Sequence, residues 1–119
     1  MKKRETVLNS LLALERPLNQ VLMELRAIPW DSHDEIVVIT RAHVSVVLRR
    51  FIAGELRESE VEDWANAIEG RDDIGFTELH AAVLKRVLHE LANPALEGAL
   101  TNRRAIELDR HLVNLAVTQ

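Results

Sequence analysis

The side chains with most chemistry to offer are carboxylates. Residues 55–78 hold nine of them (Glu55, Glu58, Glu60, Glu62, Asp63, Glu69, Asp72, Asp73, Glu78) against two arginines, Arg57 and Arg71, in a chain of 119 residues whose net charge is −4. Outside this region the charges nearly balance. Paired carboxylates can serve as general acid and base, but only where apolar surroundings shift one pKa away from the other. Glu60, Glu62 and Asp63 fall on the polar face of an expected helix, and Asp72 and Asp73 in an expected polar loop. The region therefore reads as a solvated acidic surface, which attracts a basic partner and repels nucleic acid. Calcium is disfavoured, because Arg71-Asp72-Asp73-Ile74-Gly75 lacks the alternating oxygen ligands and terminal Glu of an EF-hand loop.

Other chemistries find little support. The five histidines include no pair at the i, i+4 spacing of a helical zinc site. His80 and His89 are nine residues apart on one expected helix and point to opposite sides. His33 reads as a solvated first-turn residue, and His43 as a hydrogen-bonded histidine at the edge of the core. There is no cysteine, which excludes disulfides, thiolate metal sites and a Cys nucleophile. Four glycines in no phosphate-cradling pattern and the absence of G-x-S-x-G remove the nucleotide and hydrolase motifs. Ser10, Ser32, Ser45 and Ser59 read as caps or helix surface. No catalytic, cofactor-binding or metal-ligating residue is expected, and no enzyme. A pI of about 5.7 and two Phe, two Trp and no Tyr also argue against a nucleic-acid platform. Arg49-Arg50 and Arg103-Arg104 read as solvated helix faces or partners for the acidic segment. Trp64 lies on a buried stripe. Trp30, in the turn Pro29-Trp30-Asp31-Ser32, either packs back on the bundle or stands out as an interface anchor.

The elements that must position these residues are helices. Leu8, Leu11, Leu12, Leu18, Val21, Leu22 and Leu25 recur at helical spacing over residues 3–28. Pro17 interrupts them, and the expectation is two helices with Pro17 in the first turn of the second. Ser32 and Glu35 are spaced as a capping box. Ile36-Val37-Val38-Ile39-Thr40 is strand-like by propensity, yet Ile36, Thr40, Val44, Val47, Leu48 and Phe51 share one helical face. A lone strand would also lack a partner. The expectation is therefore one long helix over 33–53, closed by Gly54. Ser59 is expected to open the next helix, with Val61, Trp64, Ala65 and Ile68 inward and Gly70 at its end. Residues 71–76 are expected as loop. Thr77 should cap a helix to about residue 92, burying Leu79, Val83, Leu84, Val87, Leu88 and Leu91. Thr101 should cap the last helix, with Ile106, Leu108, Leu112, Val113 and Leu115 as apolar contacts. No repeat or linker divides residues 1–119, so the expected architecture is all-α: a single compact bundle of five or six helices.

Met1-Lys2-Lys3-Arg4 resembles a signal-peptide n-region, but Glu5, Glu15, Arg16 and Pro17 spoil the apolar stretch that should follow. No run reaches the ~18 apolar residues of a membrane span. The chain is expected to be soluble and cytoplasmic.

The segments Pro29-Trp30-Asp31-Ser32, Thr40-Arg41-Ala42-His43-Val44, Phe51-Ile52-Ala53-Gly54-Glu55-Leu56, Val61-Glu62-Asp63-Trp64-Ala65-Asn66 and Glu69-Gly70-Arg71-Asp72-Asp73-Ile74 resemble a group of short, uncharacterised bacterial all-helical proteins. The order helix, Ala-Gly-Glu-Leu, acidic helix with a Trp is also similar to self-protective immunity proteins of the colicin-D-like kind. The resemblance spans about half of the chain, and its motifs are caps and core positions. It implies an acidic helical protein that blocks a basic ribonuclease toxin by covering its active site, and carries over no functional residue. The leading expectation is thus a non-catalytic protein-interaction module, immunity- or antitoxin-like. Its docking residues would be Glu58, Glu60, Glu62, Asp63, Asp72 and Asp73, with Trp30 beside them and a basic protein as partner. The alternative is a structural homo-oligomer, such as a homodimer, in which residues 1–28 pair with their twin.

Overall fold

Pro17 divides the N-terminal leucine stripe into two helices, α1 (Lys3–Ala13) and α2 (Leu18–Leu25), and stands at the N-cap of the second. The structure, a computed structural model, describes residues 3–115. After the N-terminal hairpin come β1 (Val37–Ile39), α3 (Arg41–Ile52), α4 (Glu58–Ile68), β2 (Ile74–Phe76), α5 (Ala81–Ala92), α6 (Pro94–Glu97) and α7 (Asn102–Leu115). A 3-10 turn over Glu78–His80 leads into α5. The architecture is all-α, with seven helices among the described residues rather than five or six. The radius of gyration, 13.8 Å, matches the about 13.5 Å of a compact chain of this length.

The core is assembled around α4. Trp64 is fully buried, and its indole Nε1–H donates to the Leu11 carbonyl at 2.7 Å. That carbonyl lies in the last turn of α1, where helix acceptors lack an intrahelical donor. The tryptophan therefore fills the core and completes the end of α1 in one contact. Leu8, Leu11, Leu12, Leu18, Val21 and Leu25 are all buried in the same core. Most of the stripe that the homo-oligomer alternative would use is thus buried within the chain, with Leu22 only partly so. Leu14, buried with φ of +50°, turns the chain out of α1, and its carbonyl accepts from Arg50 Nη1 at 2.8 Å.

The expected long helix over 33–53 does not form. Val37–Ile39 is a strand that pairs in parallel with Ile74–Phe76, in the register Val37↔Ile74, Val38↔Gly75 and Ile39↔Phe76. Residues 71–76 are thus not all loop, and the strand has the partner the sequence reading missed. Val37 and Ile39 are buried and Val38 is half exposed, the period-two pattern of a strand. The β-branched run kept its local propensity because a short run at 74–76 completes its hydrogen bonding. The Ser32–Glu35 capping box is also absent: Ser32 Oγ closes a local turn with the Asp34 backbone instead. The helix start lies eight residues later, where the Thr40 N–H donates to His43 Nδ1 at 3.0 Å.

Three further boundaries move for equally local reasons. Arg57, not Ser59, is the N-cap of α4, and its N–H donates to Glu60 Oε1 at 2.8 Å. Thr77 holds the strand end, with N–H and Oγ1 both donating to the Ile39 carbonyl at 3.1 Å, and α5 starts only at Ala81. Leu79 on the intervening turn is exposed rather than buried. Thr101 does cap α7, accepting from the Arg104 N–H at 3.1 Å. This last helix packs on α3, with Ala105 and Leu112 buried, whereas Ile106 and Val113 remain about 40% exposed (41% and 38%). Asp109 ties the two helices through Ser45 Oγ and through Arg49 Nε at 3.0 Å.

Two measurements check this framework. Trp64→Phe removes a donor from a buried carbonyl and leaves a void, so it should destabilise by about 2–4 kcal/mol. Urea unfolding should show a lower midpoint at unchanged slope. Burial lowers the His43 pKa, and the lone pair that would be protonated already accepts the Thr40 N–H. The unfolded chain then takes up this proton first, so stability falls as pH drops below about 6.5 and is unaffected above it. His43→Gln keeps an acceptor at the third helical position and cannot titrate. Its melting temperature should fall less than the wild type's between pH 7.5 and 5.5.

Candidate docking face

Asp73 was expected on the acidic surface. It is instead completely buried, and it organises the face on which Trp30 stands. Arg71 grips it twice, Nε to Oδ1 at 3.0 Å and Nη2 to Oδ2 at 3.1 Å, and is itself buried. Arg4 reaches from the first turn of α1, Nε to Oδ2 at 3.0 Å. Burial pushes the Asp73 carboxyl up, but the hydrogen bonds and charges of Arg71 and Arg4 outweigh it and hold the group below the usual carboxylate range. The same two arginines bind the chain before β1: Arg71 Nη2 donates to the Pro29 carbonyl at 2.9 Å, and Arg4 Nη2 to the Pro29 and Asp31 carbonyls at 3.1 and 3.0 Å. The Asp73 carbonyl accepts from the Ile36 and Val37 N–H groups at 2.8 and 3.2 Å. One residue thus anchors α1, the 29–31 turn and the approach to β1.

Trp30 is held by this network yet half exposed, at 50%. Its carbonyl accepts from the Asp72 N–H at 3.0 Å, and the Arg71 guanidinium lies 5.0 Å from its ring centroid. The ring therefore packs against Arg71 and is at the same time half exposed. It borders a cleft of about 320 Å³ lined by Leu22, Leu25, Asp63 and Ala67, with Arg26 and Asn66 at the same opening. Arg71 also lines a second cleft of about 390 Å³, together with Glu35, Glu69, Asp72 and Lys85 over Ile74, Phe76 and Leu88.

The acidic segment does not act as one patch. Glu58 Oε2 accepts the Leu100 N–H at 2.9 Å, and Glu58 and Glu62 line a narrow crevice with Glu90 and Arg104, beside the start of α7. Glu60 is engaged in the α4 cap. Glu55 pairs with Arg50 at 3.2 Å, and Glu69 meets His89 Nδ1 at 3.1 Å. Asp63 and Asp72 are brought to the Trp30 face, are exposed, and form no ion pair among the described residues. Of the seven expected docking residues, Asp63, Asp72 and Trp30 come together, and Glu58, Glu60, Glu62 and Asp73 do not. Of the basic pairs, Arg50 alone answers the acidic segment; Arg49, Arg103 and Arg104 bind acids beyond it.

Sequence reasoning missed Arg4, Arg71, Glu35, Lys85 and Phe76. Arg71 sits two residues before Asp73, which is the one local signal of their pairing. Nothing near residue 4 points 69 positions ahead to its carboxylate. Among the described residues no group of three or more His, Asp or Glu side chains is arranged to hold a metal ion, and no helix is long and apolar enough to cross a membrane. The chain matches no protein-family model, no curated protein and no solved structure.

Asp73→Asn leaves two guanidiniums without their counter-charge, one of them buried, and should destabilise by about 3–5 kcal/mol. Because the Asp73 pKa is lowered on folding, its stabilisation is full above about pH 4 and is lost as pH falls through the folded value. Acid titration of stability should therefore be steeper below pH 4 in the wild type than in Asp73→Asn.

Proposed function

We propose that this chain is a non-catalytic interaction module that docks a basic protein on the face around Trp30. The observation that carries this reading is a half-exposed tryptophan on a firmly anchored turn, flanked by carboxylates that form no ion pair among the described residues. Tryptophans so placed dominate binding energies because they bury a large rigid surface at small entropic cost. Asp63 and Asp72 supply the charge that draws a cationic partner in and fixes its orientation. Blocking a basic toxin in the manner of an immunity or antitoxin protein is the most concrete form of this activity. The resemblance in residues 29–74 supports it, and the mechanism would be steric: the face covers a basic surface and needs no chemistry of its own.

The test is a pull-down from the host's lysate at low and high salt, beside Trp30→Ala and the double variant Asp63→Asn/Asp72→Asn. A basic protein should be retained by the wild type and shed by salt. Trp30→Ala should weaken the isolated complex by about 30-fold or more, the equivalent of a 2 kcal/mol hot spot. The double variant should chiefly slow association and flatten its salt dependence. A partner held equally well by all three proteins would sink the reading.

A further inference from the structure

The larger cleft has a composition that the docking reading does not require. Its floor is apolar, made by Ile74, Phe76 and Leu88, and Glu35, Glu69 and Asp72 line it. Of its two cations, Arg71 is buried and neutralised by Asp73, which leaves Lys85. The Lys85 ammonium lies 5.4 Å from the Phe76 ring centroid. Glu35 rests against β2 at Gly75: a Cβ there would lie 2.1 Å from its Oε1 and 3.2 Å from its Cγ, so a larger residue must push the Glu35 side chain aside. The free protein thus keeps a cation of its own on the aromatic floor of an acid-lined cleft. An aromatic face with carboxylates about it is the arrangement that selects an alkyl chain ending in positive charge.

We propose that this cleft receives one long basic side chain of the partner, arginine above all, and that Lys85 is the internal occupant it displaces. The alkyl stem would lie on Ile74 and Leu88. The guanidinium would stack on Phe76 and fork onto a carboxylate, which an ammonium cannot do. The proposal takes the basic partner from the docking reading, but the chemistry of the cleft stands or falls separately.

The test titrates the full-length, isotope-labelled protein with Nα-acetyl-arginine amide, and in parallel with Nα-acetyl-norleucine amide, which has a similar stem and no charge. The arginine probe should give saturable shifts at the Gly75, Phe76 and Lys85 amides at low salt, and the norleucine probe should not. Lys85→Ala removes the occupant from an exposed position and should tighten binding about two- to fivefold, the worth of an exposed cation–π contact. Phe76→Leu should weaken it by a similar factor, and Gly75→Ala, which pushes Glu35 aside, should weaken it too. Equal shifts from both probes, or weaker binding in Lys85→Ala, would overturn the proposal. A partner captured through Trp30 and indifferent to Gly75→Ala and Phe76→Leu would overturn the cleft and spare the docking reading. Arginine-specific shifts with no partner captured would uphold the cleft and count against that reading.

Discussion

One buried carboxylate and two guanidiniums hold the region around Trp30 in place. Asp73 is out of contact with water, so its charge is tolerable only because Arg71 and Arg4 surround it, and the Pro29 and Asp31 carbonyls accept from the Nη2 groups of these guanidiniums. A buried ionic cluster of this kind often stabilises no better than apolar side chains would. What it supplies here is a single geometry. Hydrogen bonds are directional where hydrophobic contact is not. The turn carrying Trp30, the approach to β1 and the first turn of α1 are therefore fixed relative to one another rather than merely packed.

That constraint separates the acids of residues 55–78 into different jobs. Asp73 goes to the interior, Glu60 to a helix cap, Glu58 to the backbone ahead of α7, and Glu69 to His89. Of these acids, Asp63 and Asp72 lie beside Trp30 and form no ion pair among the described residues. A local excess of charge along a chain measures composition, whereas a docking surface depends on which charges remain uncompensated after folding. The count of acids therefore says little about how many of them stay uncompensated once the chain is folded.

The helical architecture was legible because the apolar stripes of α1, α2, α4 and α5 repeat at 3.6 residues, and Pro17, Gly54, Gly70 and Thr101 punctuate them. The two strands were not. Residues 36–40 satisfy a helical and an extended pattern at once, and the arbiter, Ile74-Gly75-Phe76, is too short to announce itself. Its pairing is a tertiary fact. The face was legible in part: Trp30 could be singled out from its turn, and Asp63 and Asp72 from their charge. Arg4 could not, because its role depends on a contact 69 residues away. Asp73 was misplaced because a polar loop was assumed, whereas the loop is folded inward around its arginines.

The indole hydrogen bond that finishes α1 joins residues 53 positions apart, and the Arg4 contact joins residues farther still. Proteins are synthesised from the N-terminus at about 5–20 residues per second. The opening leucine-rich segment therefore leaves the ribosome several seconds before the residues that complete it. During that interval its apolar face is uncovered, and it is then that ribosome-associated chaperones would meet it. Helices α1 and α2 are thus made well before the contacts that secure them, and the segment left waiting is the one that later borders the Trp30 cleft through Leu22 and Leu25.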